Sequence, residues 1–314
     1  MALLSYGNTT NQKPSILDAI ILQGVHKTPF LEWLGRGSVS APKHSWILDR
    51  YRDAGANSQL EITDIVENTT DTKYLKDNVV QIIKNDYGIS NEEMQNAKYG
   101  TKEWAYRTAK VGKEHTKDLE YALLGLHNAT VFDTYTVGTP TTPAKMAGIF
   151  HYIEPTHRQD YTVPPATAGG ATGTTPFTYD ILSEILQPMW EKGGLEDESF
   201  SITVSPLLKK AINRFAGNQY FRQLKNEKKF DPTLYELETD FGTVRVKMHR
   251  LFADPKLQNT VLAGKLDEAK LMFKIATQFS EPPTSKTAKF GRYYTSATLE
   301  MKSPDYFACG TGLS

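Results

Sequence analysis

KEWAYRTAKVGKEHTKDLEYALLGLHN, from Lys102 to Asn128, is the stretch on which the fold turns. Trp104, Thr108, Val111, His115, Leu119, Ala122 and Leu126 recur at three- and four-residue steps, which places them on one helix face. Glu103, Arg107, Lys110, Glu114 and Lys117 fill the other side. At 1.5 Å per residue such a helix is about 40 Å long. Gly112 and Gly125 within it, and Gly100 just before it, each cost about 1 kcal/mol relative to Ala, which blurs its ends. Upstream, Ser90-Asn91-Glu92-Glu93 reads as a capping box, with Ser90 as N-cap and Glu93 at N3.

Outward toward the N-terminus lies a long hairpin. His44 to Asp53 and Asn78 to Tyr87 read as strands from their aromatic and β-branched content. The polar connection Ala54 to Asp77 has little apolar material of its own. An isolated two-stranded ribbon is marginal in water, so its tip is expected to lie on another surface. Before it, Ile16, Leu17, Ile20 and Ile21 give a short helical pattern ending near Gly24. Thr28-Pro29 opens a second helix, Phe30 to Leu34, which Gly35 stops.

Outward toward the C-terminus, Thr130 to Thr175 is loop-rich, with a strand candidate at Ala147 to Ile153. A helix is predicted from Thr178, with Ile181, Leu182, Ile185, Leu186 and Met189 inward, Pro188 kinking it and Gly193-Gly194 ending it. Phe200, Ile202 and Val204 mark a strand, and Ser205-Pro206 caps the helix that carries Leu208, Ile212 and Phe215. Tyr235 to Thr239 and Thr243 to Arg250 form a hairpin around Asp240-Phe241-Gly242. In its second strand Val244, Val246 and Met248 are expected on one face, with Arg245, Lys247 and His249 on the other. Leu271 to Ile275 and Tyr293 to Met301 are further strands. The fold class is therefore α+β.

The 314 residues are enough for two domains and an ample core. Thirty-six Lys and Arg balance 36 Asp and Glu, which argues against global capture of nucleic acid. The single cysteine, Cys309, excludes an internal disulfide framework and is expected to be inert. No apolar run approaches the roughly 20 residues of a membrane span, so no membrane partner is expected.

Catalytic patterns are not found. None of the seven histidines forms HxxxH or HExxH. His115 lies on the apolar stripe, where a satisfied core or interface histidine is expected. His151 and His157 flank Glu154 but lack a third ligand at a metal-binding spacing. Gly169 to Gly173 has the composition of a phosphate loop without the Gly-Lys-Ser/Thr that would make it one. No catalytic, cofactor or metal residue is assigned. One charge cluster stands out: Lys209, Lys210, Arg214, Arg222, Lys225, Lys228 and Lys229 oppose a single acid, Glu227. It reads as a solvated face, a nucleic-acid patch, or the partner of the acidic run Glu196, Asp197 and Glu198 on a neighbouring copy.

The order of parts, together with five stretches, resembles a tailed-bacteriophage major capsid protein of the Hong Kong 97 type. The stretches are KTPFLEWLG (Lys27–Gly35), HSWILD (His44–Asp49), KDLEYALLG (Lys117–Gly125), LYELETDFGTVRV (Leu234–Val246) and TLEM (Thr298–Met301). The resemblance implies an N-terminal arm over residues 1–42 and an extended β-hairpin loop over 43–88. It implies a peripheral domain with a long spine helix over 89–140, completed by 261–314, and an axial domain over 141–260. It implies a structural head protein that self-assembles as pentamers and hexamers into an icosahedral shell enclosing double-stranded DNA without sequence-specific binding. Assembly would take place in the host cytoplasm, and the protein would reside in the virion capsid. A separate scaffolding protein, a portal and decoration proteins are the implied partners. Expected contacts with neighbouring copies are Asn57, Gln59, Leu60, Ile62, Ile65 and Tyr74 on the ribbon, and Lys209 and Lys210 against Glu196, Asp197 and Glu198. No Lys–Asn cross-link is identified. The other classes are an encapsulin-like compartment around protein cargo and an uncharacterised hydrolase or transferase, the latter requiring a convergent polar pocket.

Overall fold

The computed structural model describes residues 27–52, 54–56, 58, 61, 64–65, 73–96, 102–163, 173–193, 200–215 and 236–314. The helix read at Ile16 to Ile21, most of the ribbon tip, Gly169 and Gly170, Glu196 to Glu198 and Arg222 to Lys229 lie outside these residues.

The chain enters through α1 (Pro29–Trp33). Proline suits this first turn, where its missing N–H would have had no helical partner. The Leu34 N–H closes the turn on the Phe30 carbonyl at 3.0 Å. Gly35 then opens a strand, β1 (Gly35–Ser38), that the sequence did not reveal. β2 (Lys43–Leu48) and β3 (Tyr74–Val79) pair antiparallel from Lys43 opposite Val79 to Leu48 opposite Tyr74. The single strand expected at Asn78 to Tyr87 is in fact two. The chain changes partner at Val80, and β4 (Gln81–Ser90) leaves the ribbon for another sheet.

Ser90 caps α2 (Asn91–Gln95), its Oγ accepting the Glu93 N–H at 3.2 Å. The capping box thus starts this short helix, and the long helix α3 (Glu103–Leu123) starts separately. α3 stops short of Asn128 because Gly125 adopts φ 73°, a left-handed conformation that glycine reaches freely. The Lys256 ammonium donates to the carbonyls of Leu126 (2.9 Å) and Asn128 (2.5 Å), so a cation sits where the helix dipole is negative.

The expected strand at Ala147 to Ile153 is instead a helical turn, α4 (Ile149–Tyr152). A short apolar run does not distinguish a buried helix from a strand, and here Ile149, Phe150, Tyr152 and Ile153 are all buried. β5 (Arg158–Asp160) follows. α5 (Tyr179–Glu191) is capped by the Thr178 hydroxyl, contains Pro188, and buries Leu182, Ile185, Leu186 and Met189. β6 (Ser201–Val204) is central and buried on both faces, so its polar residues are enclosed with its apolar ones. The Ser205 hydroxyl accepts the Leu208 N–H at 3.2 Å and starts α6 (Pro206–Phe215).

β7 (Glu236–Thr239) and β8 (Gly242–Met248) form the expected hairpin. The alternation expected along β8 fails at its end: Val244 and Val246 are buried, but Met248 is 56% exposed and His249 is buried. The strand stops at Met248, and His249 starts a 3-10 turn, Arg250–Ala253, which releases it from the period of two. β9 (Val261–Gly264), β10 (Ala269–Ser280), β11 (Ala288–Met301) and β12 (Phe307–Thr311) complete the chain.

Among the described residues two sheets form, with orders β1-β10-β11-β4 and β5-β12-β9-β6-β8-β7, beside the two-stranded ribbon. α3 lies against β4 and β11 of the first sheet, with Leu119, Ala122 and Leu126 buried as the stripe predicts. One core gathers Phe30, Leu119, Leu123, Phe150, Phe252 and Leu299. The other lies between the six-stranded sheet and the helices α5 and α6, around Leu182, Ile185, Ile202, Leu208 and Val246. Two short links pass between the sheets, β9 to β10 and β11 to β12. They are tied to each other by Lys302 N–H to the Glu268 carbonyl (2.9 Å) and Lys265 N–H to the Tyr306 carbonyl (3.3 Å).

Candidate assembly surface

The inner side of the ribbon base is fastened to the four-stranded sheet and α4. The Asn78 side-chain amide donates to the carbonyls of Ala147 (3.2 Å) and Leu299 (3.0 Å), and its Oδ1 accepts the Val79 and Ala147 N–H groups. This buried amide is fully used, which makes it a specific peg. Tyr152 donates to the Asp77 carbonyl at 2.8 Å. Trp46 stacks on His44, and His44 Nε2 meets the Glu300 carboxylate at 2.7 Å.

Further out, Arg50 makes two hydrogen bonds to Asp305, at 2.6 and 3.0 Å, and lies 3.4 Å from Glu154. Lys76 also reaches Glu154 at 3.4 Å. The Arg50 guanidinium and Lys76 ammonium lie 5.2 and 5.7 Å from the Tyr74 ring centroid. Burial raises the Tyr74 phenol, the Arg50 charge opposing it. Lys43 pairs with Asp77, and that hydrogen bond holds the Asp77 carboxyl below the usual carboxylate range.

The outer side of the ribbon has a different character. Ile47 and Leu75 stand opposite each other, 68% and 61% exposed. Tyr51 and Ile65 are fully exposed. Monomeric surfaces carry single exposed apolar residues routinely, but a cross-strand apolar pair on an outward ribbon face points to a covering partner. Sequence reasoning missed Ile47 and Leu75. Their signal was the apolar run Trp46-Ile47-Leu48 with Tyr74-Leu75, which leaves neither ribbon face polar.

Among the expected contact residues, Ile65 is exposed, while Tyr74 is half-buried beneath its own subunit's cations. Asn57, Gln59, Leu60, Ile62, Glu196, Asp197 and Glu198 lie outside the described residues. Lys210 is exposed, but Lys209 is only 7% exposed, and burial lowers its ammonium. It follows Leu208 onto the inner side of α6, so it does not belong to a solvent-facing cluster.

The groups screened for chemistry are engaged structurally. His115 bonds Asn85 and Thr295, each at 2.6 Å. His151 and His157 meet the carbonyls of Phe132 and Phe307, at 3.0 and 3.1 Å. Burial pushes the Cys309 thiol up to about 12. Among the described residues no group of three or more His, Cys, Asp or Glu could hold a metal ion.

The fold has solved counterparts. The mature capsid of bacteriophage PhiM1 superposes with a TM-score of 0.63 at 10% identity, over 99% of this chain and 95% of that one. The capsid of cyanophage A-1(L) gives 0.63 at 13% identity over 99% of each chain. The SrpI encapsulin of Synechococcus elongatus PCC 7942 gives 0.61 at 9% identity, over 100% of this chain and 97% of that one. No curated protein sequence matches. A long helix on a four-stranded sheet, a two-stranded ribbon and these likenesses define a fold of the Hong Kong 97 type. The SU10 major capsid protein model matches residues 4–314, and the chain belongs to that family. Its role is structural, in the icosahedral virion capsid of a bacteriophage, and it self-assembles into the shell.

Proposed function

We propose that the ribbon joins one copy to the next, and that the observation carrying this is the exposed Ile47–Leu75 pair on a ribbon whose inner side is already fastened. Ordering a ribbon tip costs about 1–2 kcal/mol per residue, and burial on a neighbour offsets it. Pentamers and hexamers are the closed arrangements such contacts form. The arm then covers residues 1–42, the extended loop 43–88, the peripheral domain 89–140 with 261–314, and the axial domain 141–260. Because β1 and β4 pair within the peripheral sheet, the free part of the loop is Lys43 to Val79. The shell encloses double-stranded DNA without reading its sequence, consistent with zero net charge. A separate scaffolding protein, a portal and decoration proteins complete the particle. The chain is not an enzyme; its engaged histidines and buried thiol support that reading.

Deleting Gln59 to Asp71 tests the proposal. The subunit is expected to fold and to fail to form stable shells by electron microscopy. Normal shells from the deletion would refute the ribbon's role.

A further inference from the structure

Residues 54–72, at the far end of the ribbon, carry four acids, Glu61, Asp64, Glu67 and Asp71, and no Lys or Arg, in a chain of zero net charge. Glu61 and Asp64 are exposed and have no ion-pair partner among the described residues. An exposed segment of one sign is complemented by a surface where the opposite sign is left over.

The four-stranded sheet has such a surface. In the β10–β11 ladder Lys270 stands opposite Glu300. Lys302 lies two residues beyond Glu300, on the same face and diagonal to Lys270, which is within reach of long side chains. The Lys302 N–H bonds the Glu268 carbonyl at 2.9 Å, so the pairing holds to that point. The acid between the two lysines is already taken, because the Glu300 carboxylate meets His44 Nε2 at 2.7 Å. Neither lysine forms a salt bridge among the described residues. The two side chains meet each other instead. Their hydrogen bond, with the repulsion of the Lys302 charge, holds the Lys270 ammonium below the usual lysine range, while Glu300 and Glu268 oppose the shift. Lys302 is exposed. The Lys270 stem is set over Gly35, where a Cβ would come within 3.1 Å of its Cγ. Two cations in contact on an open surface repel, and a carboxylate placed against them removes the repulsion.

We infer that Lys270 and Lys302 receive the acidic ribbon tip of a neighbouring copy. The inference rests on the ribbon's role proposed above and names the surface on which the ribbon lands. The subunit's own ribbon leads away from these lysines: His44 meets Glu300, and Leu48, four residues along β2, is about 13 Å further on. Acids of one copy thus meet lysines of the next, a head-to-tail contact of the kind that closes into rings. Charges at the edge of a contact set encounter and register more than strength. The lysine pair therefore orients the ribbon, and the outward Ile47–Leu75 pair supplies the apolar burial.

Carbodiimide treatment of assembled shells tests this, since the reagent joins an amine to a carboxylate only where they touch. The shells are built from equal parts of nitrogen-15-labelled and unlabelled full-length chains. The expected product is an amide between Lys270 or Lys302 and a carboxylate of residues 54–72, in peptides that join a labelled to an unlabelled chain. Shells without that product overturn the inference. The same product in the unassembled subunit overturns it too, because the contact would then be internal. Lys270→Glu with Lys302→Glu is expected to lower shell yield at least about tenfold, as like charges then face each other. Adding Glu61→Lys and Asp64→Lys to that chain is expected to restore the yield. Normal assembly of the reversed chain, or no recovery in the swapped one, counts against the lysine pair. Should the reversed chain not fold, the wild-type cross-link decides. If deleting Gln59 to Asp71 blocks shells and the lysine reversal does not, the landing surface is wrong and the ribbon's role stands. Normal shells from the deletion remove both.

Discussion

His115 on the spine helix and Thr295 on β11 share a 2.6 Å hydrogen bond that fixes the helix to its sheet. The bond belongs to a chain. Asn85 Oδ1 lies 2.6 Å from His115 Nδ1, the Asn85 amide donates to Asp118 at 2.7 Å, and Thr295 meets Thr277 at 2.8 Å. With Asn85 Oδ1 accepting, His115 Nδ1 carries a proton; burial disfavours a second one on the ring, which leaves Nε2 to accept from the Thr295 hydroxyl.

Stability of the unassembled subunit is expected to fall as pH drops below about 6.5, the ordinary value for histidine. Burial lowers the native values of His115, His127 and His151. Below pH 6.5 the unfolded chain therefore binds more protons than the native one, and stability declines until the native rings titrate too. Urea unfolding between pH 7.5 and 5.5 measures this. A flat profile would contradict it, and His115→Gln should reduce the slope.

Leu119 is 3% exposed in the core beneath the four-stranded sheet. Leu119→Ala should cost about 2–5 kcal/mol, from lost transfer energy and the cavity left behind. Equilibrium unfolding of the two subunits gives the difference, and a cost below 1 kcal/mol would mean the site collapses around the cavity.

The outward ribbon pair should separate folding from assembly. Ile47→Asp with Leu75→Asp is expected to change subunit stability by no more than about 0.5 kcal/mol, as exposed substitutions do. The same double variant should lose shells in sedimentation and microscopy. Shells at wild-type yield would place these residues outside the contact.

Lys209 and Lys210 should differ in reactivity although adjacent. Amine-directed labelling of the folded subunit is expected to modify exposed Lys210 quickly and enclosed Lys209 slowly, with equal rates after denaturation. Lys210→Glu should change the salt sensitivity of assembly, since an exposed charge tunes encounter more than strength.

Cys309 is buried in β12, and its thiol, raised to about 12, is scarcely ionised at pH 8. Thiol reagents should leave the native subunit untouched and react stoichiometrically in denaturant. Rapid native labelling would show that β12 opens.

Much of the frame was legible because the signals were long. The stripe from Trp104 to Leu126 sustains one period over six turns, and no strand produces that pattern. The caps at Ser90 and Ser205 were legible because each pairs a short polar side chain with a nearby N–H. The change of partner at Val80 left no trace, since a strand keeps its alternation whichever neighbour it bonds. β9 and β12 were missed as four- and five-residue runs, buried throughout in β9 and up to Thr311 in β12. Nothing in the sequence singles out Glu120, because its partner, the Phe30 N–H, is set by tertiary approach and not by spacing. The proposed contact surface draws on both sources: the expectation of a neighbour comes from the ribbon's polar tip in the sequence, while the apolar pair at its base required the register.

The paired links between the two sheets have a mechanical meaning. A single tether would let the six-stranded part swivel in any direction on the four-stranded part. Two tethers side by side, clasped by Lys302 to Glu268 and Lys265 to Tyr306, act as a strap. A strap of that kind resists shear and torsion. Beside it, Leu262, Phe307 and Cys309 of the six-stranded sheet share a core with Leu119, Leu271 and Leu299, so load passed to one sheet is carried into the other through packed side chains as well as through backbone.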